Sequence, residues 1–152
     1  MKELEYPFDA AYIIKKRKSL KKALLADGTS RIRKKIAVFG GSTTSDIVKT
    51  LELFLLDAGI EPEFYESEYA QYFQDAMFPD ETLLSFKPDI VFIHTTNRNV
   101  TDWPEMTDTT EQIDEKLYTE INRFTAMWKS IAEKFHCPII QNNFEMPLYR
   151  LF

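Results

Sequence analysis

Short apolar runs alternate with longer amphipathic stretches along this 152-residue chain. The runs at residues 36–39 and 90–93 are typical of strands that helices cover on both faces, because such strands are almost continuously apolar. The predicted strands are residues 36–39, 62–66, 88–94 and 138–142. Apolar residues at three- and four-residue spacing predict helices. These helices are residues 8–26, 46–58, 81–86 and 110–135, with a further short one inside 67–80.

The order of these elements predicts the topology. Strands that alternate with helices favour a parallel sheet with right-handed crossovers. We therefore expect a three-layer α/β/α fold of flavodoxin-like type, with an open parallel sheet of about four strands in the order 2-1-3-4. An amino-terminal basic helical segment, residues 1–34, is expected to pack on a domain formed by residues 35–152. Val38 and Val91 should lie deep in the core of that domain.

Individual segments carry further expectations. The helix at 46–58 is apolar around most of its cylinder, so it should be covered on more than one side. Residues 29–34 are expected to link the first helix to the first strand, and residues 95–108 form a polar loop whose length favours a functional role. In the long helix, seven residues are predicted to lie on one face: Ile113, Leu117, Ile121, Phe124, Trp128, Ile131 and Ala132.

Charge is distributed unevenly along the chain. Residues 15–35 hold ten Lys or Arg and one acidic residue, whereas the remainder holds nine Lys or Arg and 23 Asp or Glu. We interpret the basic segment as a solvated helix face that complements the acidic body, with a charged partner as the alternative. Nucleic acid is not an expected partner, because no stacking platform accompanies the charge. No apolar run is long enough to span a bilayer, so no membrane partner is expected.

Cysteine and histidine are rare in this chain. The single Cys137 excludes an intramolecular disulfide and fits a reducing compartment, so we expect a cytoplasmic protein. Together with the distant His94 and His136 it makes no metal-ligand pattern. No metal site is therefore predicted in this chain.

Candidate chemistry gathers where the predicted strands end. After the first strand, two glycines allow a sharp turn and a helix then begins, which is the arrangement where open α/β sheets bind ligands. The carboxyl ends of parallel strands share one edge of the sheet, so polar residues after the third and fourth strands should lie beside this turn. The predicted pocket comprises Gly40, Gly41, Ser42, Thr43, His94, Asn97, Arg98 and Asn142.

Four stretches resemble the amino-terminal part of FkbH-like proteins. They read AVFGGSTTSDI (37–47), LELFLLDAGIEPEFYESEY (51–69), FKPDIVFIHTTNRN (86–99) and IIQNNFEMP (139–147). The resemblance extends over residues 6–152. It implies an SGNH-hydrolase-like module, which such proteins carry in front of a phosphatase-type module of the HAD superfamily.

The resemblance also implies an activity for the parent protein. Such proteins dephosphorylate an activated three-carbon acyl phosphate and load the glyceryl group onto an acyl carrier protein. That chemistry belongs to the HAD module, with its Asp-x-Asp motif and magnesium. This sequence contains no Asp-x-Asp. The resemblance therefore implies no cofactor in this chain, magnesium in the absent HAD module, and two partners: that module and an acyl carrier protein.

The SGNH pattern is matched only in part. The resemblance places Ser42 at the nucleophile position and Asn97 at the oxyanion-binding asparagine. The glycine and aspartate that should flank Asn97 are missing, as is the base-bearing Asp-x-x-His block expected after the last strand. A serine without a base is a poor nucleophile.

Two interpretations of the function stay open. The first is a non-catalytic docking or substrate-presenting domain, in which Ser42 caps a helix or binds phosphate, carboxylate or pantetheine. The second is a weak SGNH-type esterase or deacylase that uses Ser42, with His94 as a substitute base.

The last ten residues, 143–152, are rich in apolar side chains. Chain termini are usually polar and mobile. We therefore expect the chain to be a fragment or a truncated product of a longer polypeptide, with residues 149–152 disordered, packed on a neighbouring molecule or laid across an exposed edge.

Overall fold

A computed structural model describes residues 1–146 of the protein. Within these residues four strands are present: β1 (Ile32–Gly40), β2 (Ile60–Glu66), β3 (Ile90–His94) and β4 (Ile139–Gln141). The same part of the chain contains five α-helices: α1 (Ala10–Ala26), α2 (Ser45–Asp57), α3 (Tyr72–Met77), α4 (Glu81–Phe86) and α5 (Thr110–Phe135). Two short 3-10 turns are Lys2–Leu4 and Asn97–Asn99.

The strands form one parallel sheet in the order β2-β1-β3-β4. This confirms the predicted fold class and strand order. In the register of the sheet, Ile36 of β1 lies opposite Phe64 of β2 on one side and Ile90 of β3 on the other. Val38 and Val91 are fully buried, as predicted.

Helices cover both faces of the sheet. Alternate side chains of β1 point to opposite faces, since a strand has a side-chain period of two. Ala37 and Phe39 pack with residues of α3, α4 and α5, whereas Ile36 and Val38 pack with Val48 of α2. Helix α1 packs on α2 through a third cluster: Leu4, Ile13, Leu20, Leu24, Leu53 and Leu56. Helix α2 is therefore covered on two sides, as its all-round apolar character predicted.

The first strand is longer than its apolar run. The prediction that residues 29–34 form a linker was wrong for its last three residues, because β1 begins at Ile32. Backbone pairing with β2 does not require apolar side chains, and the basic residues that open β1 are exposed or half-buried. Arg33 and Lys34 also pair with carboxylates across the sheet edge, at 3.4 Å to Glu61 and 3.2 Å to Asp89. The apolar run therefore marks only the buried half of the strand.

The predicted apolar face of α5 coincides only in part with the face that is buried. Phe124 and Ile131 are buried. However, Ala132 is exposed, and four larger side chains keep much of their surface accessible: Ile113 37%, Leu117 58%, Ile121 53% and Trp128 41%. The inner face of α5 instead carries Glu120, Phe124, Met127, Ser130 and Ile131. Because two polar residues lie on this face, apolar periodicity alone points to a neighbouring face of the helix.

Some expectations stay predictions. The division into residues 1–34 and 35–152 is one of them. The expectation for residues 149–152 falls outside the described residues. Within residues 1–146, no helix is both long enough and apolar enough to cross a membrane.

Candidate functional site

The turn after β1 is built on two glycines that neighbouring groups approach closely. The Gly41 N–H donates to the His94 carbonyl at 2.8 Å, and the Gly41 carbonyl accepts from Asn99 Nδ2 at 2.9 Å. A Cβ on Gly41 would lie 2.4 Å from Asn99 Oδ1, and one on Gly40 would lie 2.6 Å from Thr44 Cγ2. At Gly40 the backbone carbonyl of Ser42 would also lie only 2.8 Å from the added Cβ, so this position requires glycine. At Gly41 the Asn99 side chain would have to move, which would disturb its hydrogen bond to the Gly41 carbonyl.

Ser42 and His94 are brought together at the carboxyl edge of the sheet. Ser42 Oγ lies 3.4 Å from His94 Nδ1. The register explains this proximity, because Gly40 at the end of β1 pairs with His94 at the end of β3. A hydroxyl beside an imidazole is the pair that serine nucleophiles use. In residues 1–146, however, no carboxylate is hydrogen-bonded to the His94 ring, so this part of the chain does not supply the third group of a triad.

The start of α2 differs from the expectation for Ser42. The helix begins at Ser45 with Thr44 as its N-cap, so Ser42 lies two residues before the cap. Thr44 is buried, and its hydroxyl donates to Glu66 at 3.2 Å instead of capping the helix. This carboxylate already lies close to the positive end of the helix dipole, where an anionic ligand would bind. Thr43, the remaining hydroxyl of the turn, is exposed.

Asn97 and Arg98 lie in the 3-10 turn that follows β3. Asn97 is buried; its backbone N–H donates to Glu145 Oε2 at 3.2 Å, and its side-chain amide donates to the Glu145 carbonyl at 3.4 Å. The turn after β3 is therefore tied to the segment after β4. Arg98 is exposed, and its backbone N–H donates to the hydroxyl of Thr96 at 3.3 Å.

Asn142 has a structural contact at the same edge. Its Oδ1 accepts from the Thr95 N–H at 3.0 Å, and its Nδ2 donates to the Thr95 carbonyl at 2.8 Å. Thr95 is fully buried, and its hydroxyl accepts from Gln141 Nε2 at 3.1 Å. These bonds satisfy the polar groups of a buried residue and fix the end of β3 to the end of β4.

A polar network behind the turn was missed by sequence reasoning. Arg123 of α5 donates to the Asn99 carbonyl at 2.6 Å, to the Tyr72 hydroxyl at 2.9 Å and to Glu120 at 2.7 Å. Glu120 also accepts from the backbone N–H of Thr101 at 2.8 Å and from the Thr101 hydroxyl. The network therefore joins α5 and α3 to the loop that holds the glycine turn. The available signal was the acid–base pair three residues apart in a predicted helix.

The network also sets the ionisation of Glu120. Burial alone raises the pKa of this carboxyl group, since it penalises the charged form. The hydrogen bonds from Arg123 and Thr101 favour the carboxylate, and together they outweigh burial and lower the pKa. Glu120 is therefore held as an anion at neutral pH.

A metal site is not evident in the described chain. Within residues 1–146, no group of three or more His, Cys, Asp or Glu side chains is arranged to hold a metal ion. Taken together, the fold and the site define a three-layer α/β protein with a parallel sheet and a serine–histidine pair at its carboxyl edge.

Comparison with known proteins identifies a structural neighbour of this class. No family model matches the chain, and no curated protein matches it. A crystal structure does match: the N-terminal part of the protein BF1531 from Bacteroides fragilis, described as containing a phosphatase domain and complexed with Mg. The match has a TM-score of 0.66 and 18% sequence identity, and it covers 86% of this chain and 33% of that chain. This likeness shows the shared fold, and the chain spans about a third of the neighbour's length.

Proposed function

We propose that this chain is a non-catalytic docking or substrate-presenting domain of an FkbH-like, HAD-family enzyme that loads a glyceryl or acyl group onto an acyl carrier protein. The observation that carries the proposal is the Ser42–His94 pair, which has no carboxylate on the imidazole within residues 1–146. A serine whose base is not oriented by a third group is poorly activated. The carboxyl edge of the sheet is therefore better suited to binding a ligand than to catalysing acyl transfer.

The structural neighbour supports a modular arrangement. It is the N-terminal part of a protein described as containing a phosphatase domain, and this chain spans about a third of its length. In our proposal the phosphatase-type chemistry and its magnesium belong to a separate HAD module. The present chain would then position the acyl group or the carrier protein for that module.

Donors at the carboxyl edge suit an anionic or polar ligand. Ser42 and Thr43 offer hydroxyls after β1, and Arg98 offers an exposed guanidinium after β3. A phosphate, a carboxylate or a pantetheine arm would accept hydrogen bonds from such groups. The carboxylate of Glu66, which accepts a hydrogen bond from Thr44, would repel an anionic ligand placed directly at the start of α2. We therefore place the ligand over Ser42 and Thr43.

A weak SGNH-type esterase is the second candidate. It is favoured by one observation, the 3.4 Å separation of Ser42 Oγ and His94 Nδ1. In this alternative His94 removes the hydroxyl proton while Ser42 attacks the ester carbonyl.

Ester turnover and carrier binding test the two candidates. We expect hydrolysis of a short-chain nitrophenyl ester near the background rate, with no change in Ser42→Ala. Ser45→Ala is the matched control, since it removes a hydroxyl from the same segment outside the serine–histidine pair. Robust turnover that is lost in Ser42→Ala and His94→Ala but kept in Ser45→Ala would favour the hydrolase. For docking, calorimetry should detect binding of a purified acyl carrier protein, and no binding at millimolar carrier would refute that role.

A further inference from the structure

The turn after β3 contributes a side chain to the glycine turn after β1. Asn99 Nδ2 donates to the Gly41 carbonyl at 2.9 Å, although the two residues are 58 positions apart in sequence. This carbonyl belongs to the peptide group that joins Gly41 to Ser42. Because a peptide group is planar, a hydrogen bond to its carbonyl fixes the orientation of the whole group. Asn99 therefore determines the direction in which the chain enters Ser42.

Gly41 needs such a restraint from outside. A glycine has no Cβ, so its own φ and ψ restrict the following peptide group less than those of any other residue would. The N–H of Gly41 donates to the His94 carbonyl at 2.8 Å, which fixes the peptide group before Gly41. The bond from Asn99 fixes the peptide group after it. Together the two bonds define both sides of the turn.

Asn99 is itself held firmly in place. Its N–H donates to the Thr96 carbonyl at 2.9 Å, and its Oδ1 accepts from the Thr96 N–H at 2.8 Å. Its carbonyl accepts from Arg123 Nη2 at 2.6 Å, and Arg123 is anchored in turn by Glu120 at 2.7 Å. The same partners determine the orientation of the side-chain amide, because an N–H must face Oδ1 and a carbonyl must face Nδ2. Asn99 is thus a rigid support for the glycine turn.

We propose that Asn99 is a positioning residue of the carboxyl edge, which holds the Gly41–Ser42 peptide group so that the Ser42 hydroxyl faces His94. The 3.4 Å between Ser42 Oγ and His94 Nδ1 is long for a hydrogen bond, so a small rotation of this peptide group breaks the contact. Asn99 acts on the pair through the backbone. Its importance for ligand binding rests on the function proposed above, whereas its effect on the serine–histidine pair does not.

Two substitutions separate the donor from the rest of the Asn99 side chain. Asn99→Asp keeps the shape and the acceptor for the Thr96 N–H, but its second carboxylate oxygen cannot donate to the Gly41 carbonyl. Asn99→Leu removes the donor without adding a charge. Asn143→Asp is the matched control, because it makes the same chemical change at an exposed position in the segment that follows β4.

The nitrogen chemical shift of His94 Nδ1, measured on the full chain, reports the contact with Ser42. The sequence holds two histidines, so the signals that persist in His136→Asn belong to His94. At a pH where the imidazole is neutral in every variant, Ser42→Ala gives the shift of the ring without its serine. We expect both Asn99 variants to move the signal toward that value, and Asn143→Asp to leave it at the wild-type position.

Two results would overturn the proposal. One is a wild-type His94 shift in both Asn99 variants when Ser42→Ala moves it, since the peptide group then needs no support from Asn99. The other is an unchanged shift in Ser42→Ala, since there is then no contact for Asn99 to maintain. If Asn99→Leu does not fold, as judged by circular dichroism, Asn99→Asp alone decides between these results.

Calorimetry with a purified acyl carrier protein tests the link to ligand binding separately. The affinity of the carrier should fall about tenfold in Asn99→Asp, as expected for the loss of one hydrogen bond, and stay unchanged in Asn143→Asp. Equal affinity of wild type and Asn99→Asp would overturn the link between Asn99 and binding. A carrier that does not bind the wild type refutes the proposed function, and the His94 shift still decides the role of Asn99.

Discussion

Replacement of Arg123 by methionine should cost about 3 kcal/mol of folding free energy, because it leaves a buried carboxylate without its cation. The guanidinium donates to Glu120 at 2.7 and 3.1 Å and to the Tyr72 hydroxyl and the Asn99 carbonyl. Breaking a buried ion pair by removing one partner costs about 3–5 kcal/mol. The two side chains keep 18% and 11% of their surface exposed, so we take the lower end of this range. Methionine retains apolar bulk over Phe124, 4.5 Å from the guanidinium.

Urea and thermal unfolding of the full chain measure this cost. A loss of about 3 kcal/mol lowers the Tm of a domain of this size by about 6–12 °C. The matched control is Glu120→Gln, which removes the buried charge. In that background Arg123→Met should cost about 1–3 kcal/mol less, if the pair is coupled. An Arg123→Met cost below about 1 kcal/mol, or strictly additive effects in the cycle, would refute the reasoning.

Three further outcomes are expected. Val38→Asp should destabilise the protein by several kcal/mol in urea unfolding, because it places an unpaired charge at a fully buried position of β1, and a wild-type midpoint would contradict the core assignment. The pKa of Glu120 is lowered because the folded protein favours its carboxylate form. The resulting stabilisation is complete at pH values above the ordinary carboxyl pKa, and it is lost as the pH falls through the lowered pKa. The urea midpoint should thus fall more steeply on acidification in the wild type than in Glu120→Gln; parallel curves would count against it. Gly41→Ala should lower the free energy of unfolding by about 1–3 kcal/mol, since the new Cβ would meet the Asn99 side chain. Gly28→Ala is the control for steric contact, because no atom lies within 4 Å of its Cβ; its φ of +73° adds backbone strain instead.

The fold was predictable because its central strands are marked by apolar runs with helices between them. Val38 and Val91 lie in such runs, and parallel crossovers then reduce the possible strand orders to a few. The start of β1 was not predictable in this way. Its first residues pair with β2 through the backbone, and several of their side chains are basic. A segment of this low hydrophobicity resembles a linker when it is judged from the sequence alone.

The candidate site shows a similar division. The proximity of Ser42 to His94 follows from the alignment of β1 and β3, which the sequence pattern already implies. The contact between Asn97 and Glu145 does not follow, because it joins side-chain and backbone groups 48 residues apart in irregular segments. The N-cap was also ambiguous, since several hydroxyl residues in succession all suit that position and only the structure identifies Thr44.

The core face of α5 could not be read from apolar spacing. The inner face includes Glu120, whose charge is satisfied by Arg123 and Thr101. A hydrogen bond to Glu120 from Thr101, 19 residues away in sequence, cannot be recognised from the residues around Glu120. The exposed side of the helix carries Ile113, Leu117 and Ile121, so the apolar spacing extends beyond the buried residues.

The central place of β1 in the sheet limits when each of its two sides can be paired during synthesis. β1 and β2 are separated by one helix, so they can pair once Glu66 has emerged. The other side of β1 must wait for β3, which is completed only at His94. During this interval the strand presents an unpaired apolar edge, the kind of surface that chaperones bind on nascent chains. Residues 36–39 should therefore be exposed and prone to aggregation during synthesis, although the same residues are buried once the domain has folded.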